Sequence, residues 1–359
     1  MFKGAAGTAI AVLLAAQALA QTPPLTKAAA PSPSSSPIPS AEPSIDSLGQ
    51  TDLQAAINLL KKNFVNPEAM TEAELDRATL AGLLVRMPGA LMLVPAHTTA
   101  PAEAAPPLYS EVFEGGIGYF RLGALSSASL QQLDKKLAET KSLGALIVDL
   151  RDSATGDFAT AAEFAKRFCP KGKALFTLHK PAARQDRTFN SDRDPAFQAL
   201  TTVLIDGETA GSAEALGAAL RFYNKALTIG QPTAGRAVEY SDLSLPSGTI
   251  LRVASAVAIG PGGQSLFPGG LKPDLPVEMS LAEKRQIFQA SAEKGMAAFI
   301  YETERPHLNE AALIAGTNPE LEAAEAQRRS RGREKQPLHD AVVQRAIDVV
   351  TSLEIYQNR

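Results

Sequence analysis

Tryptophan is absent from the 359-residue chain, and cysteine occurs once, at Cys169. A lone cysteine excludes an internal disulfide even in an oxidising compartment. It follows Phe164 and Phe168 at the end of a predicted helix, which marks it as a small core residue rather than a nucleophile. The four histidines, His97, His179, His307 and His339, stand without ligand spacing, so no metal site and no triad base is expected. Charge of one sign is also lacking. With 35 Lys and Arg against 38 Asp and Glu, the net charge of −3 gives no electrostatic reason to expect nucleic acid. The basic cluster Arg328, Arg329, Arg331, Arg333 and Lys335 lies beside Glu322, Glu325 and Glu334 and reads as a solvated face. No run approaches the ~20 apolar residues that span a bilayer, so no transmembrane segment is expected. Gly260-Pro-Gly-Gly263 has no helix pattern after it, which makes it turn chemistry rather than a phosphate loop, and no cofactor is expected.

The N-terminal region is built of short compositional blocks. Residues 1–20 read as a signal peptide, with Lys3, the apolar stretch Ala9 to Ala16, and Ala18-Leu19-Ala20 before a cut at Gln21. The implied location is exported, periplasmic or secreted. Residues 21–50, rich in Pro, Ser and Ala, lack the apolar content for a core and read as a flexible tether. Residues 51–87 read as a helical segment: Leu53, Ile57, Leu60 and Phe64 share one face, and Leu75, Leu80, Leu83 and Leu84 begin a second helix after Pro67. Residues 88–110 read as a connector.

From residue 111 to 280 strands and helices alternate. The pattern predicts a strand from Gly116, a helix over Ala128 to Thr140, a strand over Ala145 to Leu150, a helix over Phe158 to Phe168 and a strand over Ala174 to Leu178. Thr201 to Ile205 is a β-branched apolar run closed by Asp206-Gly207. A helix carrying Ala213, Leu216, Gly217 and Leu220 follows, then a strand over Ala226 to Ile229. Val238 to Leu245 and Thr249 to Ala258 alternate around Pro246-Ser-Gly248 as a hairpin. Alternating strands and helices imply a layered α/β core. Residues 281–359 form a C-terminal helical extension, with Leu281 to Phe299 and Leu338 to Leu353 amphipathic. The stripe Leu338, Val342, Ala346, Val349 and Leu353 can pack on the core or serve a partner.

Five ordered segments of this core resemble the carboxyl-terminal processing, or tail-specific, serine peptidases. Gly116-Ile-Gly-Tyr-Phe-Arg-Leu122 is similar to the family's opening strand, and Gly144-Ala-Leu-Ile-Val-Asp-Leu-Arg151 to its second strand with a terminal Asp-Leu-Arg. The Thr201 to Ile205 strand and following helix, the Pro232-Thr-Ala-Gly235 turn and the closing Gly269-Gly-Leu-Lys-Pro-Asp-Leu-Pro-Val277 complete the series. The resemblance implies a crotonase-like or Clp-protease-like ββα superhelix with a small N-terminal helical segment. It also implies a serine nucleophile with a lysine base. Residues 88 to 108 are too few for the PDZ domain that many relatives carry there.

Carried over residue by residue, the resemblance puts the nucleophile's position on Gly211, three residues before Glu214. The lysine's position falls on Arg236, after Thr233-Ala-Gly235, and the third polar position on Phe222. Glycine has no nucleophile, a guanidinium cannot accept a proton at neutral pH, and phenylalanine orients nothing. Ser212 is the nearest substitute hydroxyl. The relatives follow Asp-Leu-Arg with Asn-Asn-Pro-Gly-Gly, whereas this chain has Asp152-Ser-Ala-Thr-Gly156. Free amides near Gly211 could still bind an anion or a peptide carbonyl, which makes Thr155, Gly156, Gly211, Ser212 and Arg236 candidate ligand-binding residues. Gly156 and Gly211 as mere strand ends that admit close packing is the plainer alternative. Three functions follow: a non-cleaving binder of polypeptide or a small apolar ligand, a hydrolase using Ser212 with Lys225 the nearest lysine, or a scaffolding subunit. Whether the chain is an enzyme is open at this point.

Overall fold

The computed structural model describes residues 45–95, 107–139, 143–300 and 338–357. The expected signal peptide, most of the expected tether and the basic cluster at 328–335 lie outside the described residues. The described residues divide between Glu72 and Ala73 into two compact units. The first contains α1 (Gln50–Asn63), none of whose residues is buried, including the expected apolar face. The second begins within α2 (Glu72–Arg86).

Within the expected connector Leu91–Val94 forms strand β1. Then come β2 (Tyr109–Phe113), β3 (Ile117–Arg121), α3 (Ser127–Glu139), β4 (Ala145–Asp149), α4 (Phe158–Ala165), β5 (Ala174–Lys180) and β6 (Gln185–Asn190). The chain continues through β7 (Leu200–Ile205), α5 (Ser212–Tyr223), β8 (Leu227–Gly230), β9 (Val238–Ser244), β10 (Ile250–Ile259) and β11 (Leu275–Pro276). Two long helices close it, α6 (Leu281–Lys294) and α7 (Ala341–Gln357).

Six strands form the main sheet in the order β11-β8-β7-β4-β3-β2, parallel except for β2. Strand β4 is buried along its whole length, as a central parallel strand covered on both faces must be. Its alternation sorts the two cores. Leu146 and Val148, with Phe120, Val203 and Ile205, face α3, α4 and α5. Ile147, with Tyr119, Leu204 and Ile229, faces Ile287 of α6 and Val342, Val343, Ala346 and Val350 of α7. The C-terminal helices therefore supply half of the sheet's cover, with a buried stripe shifted from the one expected.

Both helices have local stop and start signals. Gly295, at φ 79°, ends α6 five residues before the expected end. Asp340 opens α7 by accepting the Val342 and Val343 amides at 3.1 and 3.0 Å. The same carboxylate, with Asp149, holds the guanidinium of Arg151, which is 1% exposed. Burial alone would raise the Asp149 carboxyl, yet the Arg151 charge beside it holds it below the ordinary value.

The second sheet runs β1-β10-β5-β6, with β9 on the other edge of β10. It packs through Leu175, Phe176, Leu178 and Ala258 into the core under α4 and α5. The β9–β10 hairpin matches the alternation expected around Pro246-Ser-Gly248. Strand β1 pairs antiparallel with β10 from Leu91 opposite Val253 to Val94 opposite Ile250.

Candidate active site

Strand β7 ends at Ile205, and the chain reverses through Asp206 to Ala210 before α5 begins. Asp206 shapes this reversal by accepting the Glu208 and Thr209 amides at 3.0 Å each. The Thr209 hydroxyl donates to the Leu150 carbonyl at 2.9 Å, and the Ala210 amide donates to the Ser153 carbonyl at 3.0 Å. These bonds bring the Asp152 to Gly156 segment beside the start of α5.

Gly211 caps α5 at φ 64° and ψ −125°, in the half of conformational space that glycine enters freely. A Cβ there would meet only the Arg236 carbonyl oxygen at 3.9 Å, so the space for a side chain exists although the backbone disfavours one. Strained strand-to-helix turns of this kind are where several hydrolase folds present a serine.

Glu214, fully buried one turn into the helix, joins the separated parts. Its Oε2 accepts the Gly211 amide at 2.9 Å and the Arg236 amide at 2.8 Å. Its Oε1 accepts the Thr233 hydroxyl at 2.5 Å and the Gly235 amide at 2.7 Å. One carboxylate oxygen therefore bonds both residues expected at the nucleophile and base positions, which makes them neighbours in space. Burial raises the Glu214 carboxyl above its ordinary value, although these four donors pull it down.

The Arg236 side chain is exposed, and its Cγ and Cδ lie against Gly89, just before β1. Among the described residues its guanidinium has no hydrogen-bond or ion-pair partner. The adjoining Tyr240 hydroxyl donates to the Gly89 carbonyl at 2.7 Å, which ties the start of β9 to the segment before β1.

Ser212 is 4% exposed, and its hydroxyl donates to the Gly156 carbonyl at 3.1 Å. Among the described residues no lysine amine or imidazole hydrogen-bonds this hydroxyl. Its amide, first in the helix, has no acceptor within the helix. Gly156 itself sits at φ 132°, and a Cβ there would lie 2.6 Å from the Leu125 carbonyl oxygen. Thr155 is exposed, with its carbonyl committed to the Leu125 amide at 3.0 Å. Gly156→Ala should therefore push this segment off Leu125 and cost about 2–3 kcal/mol, measured by urea denaturation. A loss under about 0.5 kcal/mol would show that the segment moves freely.

The profile of Peptidase family S41 matches residues 116–277. The chain carries a peptidase family S41 domain. Similar curated relatives include carboxyl-terminal-processing peptidase 2, chloroplastic, of Arabidopsis thaliana, 26% identical over 48% of this chain and 34% of that one. The carboxyl-terminal-processing protease of a Synechocystis strain is 25% identical over 48% of this chain and 40% of its own length. The chain thus spans well under half the length of these relatives. Among solved structures, a candidate peptidase from Parabacteroides merdae is 18% identical, covers 67% of this chain and 85% of that chain, and superposes with a TM-score of 0.50. That likeness concerns the fold, a mixed α/β core.

Within the S41 domain the other expected positions separate. Phe222 lies in the last turn of α5, 52% exposed, with its ring edge-on to Tyr223. Eleven residues of helix carry it about 16 Å along the axis from Gly211. Lys225 lies just beyond the same far end, about 20 Å along the axis from Ser212. Cys169 is buried, and burial pushes its thiol up to about 12, so it carries no thiolate at neutral pH.

Two roles were not anticipated from sequence. Glu214 served only to align the motif, although a single acid in an Ala- and Leu-rich helix is itself a signal of a buried bond network. Asp206, read as part of a turn, also meets Lys284 of α6 in a buried ion pair.

Proposed function

We propose that the S41 domain belongs to an exported protein that binds an extended polypeptide or another ligand at its cleft and does not cleave it. The observation that carries this reading is the pairing of Gly211 and Arg236 on one carboxylate oxygen of Glu214. The frame of a serine-lysine site is kept, with no nucleophilic atom on one side and a permanently charged guanidinium on the other. Among the described residues the Ser212 amide, the exposed Arg236 and the amides of Thr155 and Gly156 are the groups left for such a ligand. Ser212 is a poor substitute nucleophile because its hydroxyl is spent on Gly156 and, among the described residues, no base reaches it. The signal-peptide pattern at residues 1–20 supports export.

A fluorophosphonate probe tests the loss of catalysis. Wild type is expected to remain unlabelled from pH 7 to 10 and to be indistinguishable from Ser212→Ala. Labelling of wild type that disappears in Ser212→Ala would make the protein a hydrolase and Ser212 its nucleophile. Binding is read separately, by fluorescence anisotropy of fluorescein-labelled unfolded casein. Arg236→Glu is expected to weaken that binding about tenfold or more, in line with reversal of an exposed charge at the cleft.

A further inference from the structure

The loop that displays Gly211 is held from behind by a helix outside the family match. Lys284, on the first turn of α6, is 3% exposed and pairs with Asp206 Oδ2 and, at 2.6 Å, with Glu208 Oε2. Asp206 Oδ1 meanwhile holds the Glu208 and Thr209 amides and reaches the Asp152 amide at 3.4 Å. A single carboxylate thus joins the cation of α6 to both the Asp206 to Gly211 loop and the segment that begins at Asp152. Arg285 adds a second, exposed tie to Glu208 at 3.0 Å. A cavity of about 350 Å³ opens beside the pair, lined among others by Arg151, Gly207, Met279, Val342 and Lys284 itself.

We propose that Lys284 is a positioning residue that sets the Asp206 to Gly211 loop and thereby the affinity of the ligand site around Gly211, so that α6 tunes ligand capture. The affinity half of this rests on the binding reading above, whereas the positioning half does not. A carboxylate desolvated among loop amides keeps its place only while its counter-charge is present; without it, Asp206 gains by turning toward water and releasing the amides it organises. The reach from α6 to Gly211 is short and continuous: Lys284 to Asp206, Asp206 to Thr209, and Thr209 to the residue before Gly211.

The test is amide hydrogen exchange on Lys284→Met, Lys284→Arg and wild type, with casein anisotropy on the same samples. Lys284→Met is expected to speed exchange across Glu208 to Ser212 at least about tenfold while β3 and β4 stay protected, and to weaken binding; Lys284→Arg restores both. Unchanged exchange in the loop, or equal acceleration through β3 and β4, would overturn the positioning role. Faster loop exchange with unaltered casein binding would overturn the coupling. A wild type that binds no casein would refute the binding reading itself and leave loop exchange to decide the role of Lys284. Should Lys284→Met fail to fold, Glu208→Gln removes one carboxylate of the cluster at a partly exposed position, with the same expectations.

Discussion

Protein carrying Gly211→Ser together with Arg236→Lys is expected to react with a fluorophosphonate probe, whereas wild type and each single variant are not. The expectation rests on space and adjacency. A Cβ on Gly211 meets only the Arg236 carbonyl at 3.9 Å, and Glu214 already fixes both backbones. Serine at φ 64° and ψ −125° lies outside the left-handed helical well and carries roughly 1–3 kcal/mol of backbone strain, so Gly211→Ser should lower stability by that amount. The lysine would follow the path of the Arg236 stem past Gly89 and, like it, would be exposed. An exposed lysine titrates near ~10.4, so it is a weak base at pH 7 and becomes a competent one only as pH rises. Labelling should therefore increase about tenfold per pH unit and level off near pH ~10. Gly211→Ser with Arg236 retained lacks that rise, because a guanidinium stays protonated throughout. A double variant that stays unlabelled from pH 7 to 10 would mean that Gly211 and Arg236 do not stand where a nucleophile and its base must stand.

The elements legible in the sequence are those whose burial writes a simple pattern. Strands β4 and β7 are covered on both faces and read as continuous apolar runs, and α5 shows its packed face through Ala213, Leu216, Gly217 and Leu220. Strand β6, Gln-Asp-Arg-Thr-Phe-Asn, is almost wholly exposed, so no alternation marks it. Strand β1 is four residues long among Pro and Ala, and only its partner β10 makes it a strand. At the site, motif spacing was enough to pair Gly211 with Arg236, because short rigid turns carry both residues. The same counting sets Phe222 apart, because the intervening residues are helix and distance grows with each one. The charge pairs behind the site, Lys284 with Asp206 and Arg151 with Asp340, join residues far apart in the chain, and nothing local distinguishes these acids from surface ones.

Glu214→Ala should be among the most damaging single substitutions in the S41 domain, lowering stability by roughly 4 kcal/mol or more. It leaves four donors without an acceptor: the amides of Gly211, Gly235 and Arg236, and the Thr233 hydroxyl. It also opens a void where a fully buried side chain had been. Glu214→Gln keeps the volume but turns an NH₂ toward two of those donors, so it should cost less than alanine and still more than about 1 kcal/mol. The pH dependence separates the charge from the shape. Because burial raises the Glu214 carboxyl, the folded protein holds this proton more tightly than the unfolded chain. Its contribution to stability is then fully present below the ordinary carboxylate value and lost as pH rises through the raised one. Lowering pH through that window should widen the advantage of wild type over Glu214→Gln, measured by urea midpoints at a series of pH values. A gap that narrows instead would mean that the four hydrogen bonds outweigh burial and that Glu214 is held as a carboxylate. In that case the negative charge, rather than the hydrogen-bond geometry alone, keeps Gly211 and Arg236 together.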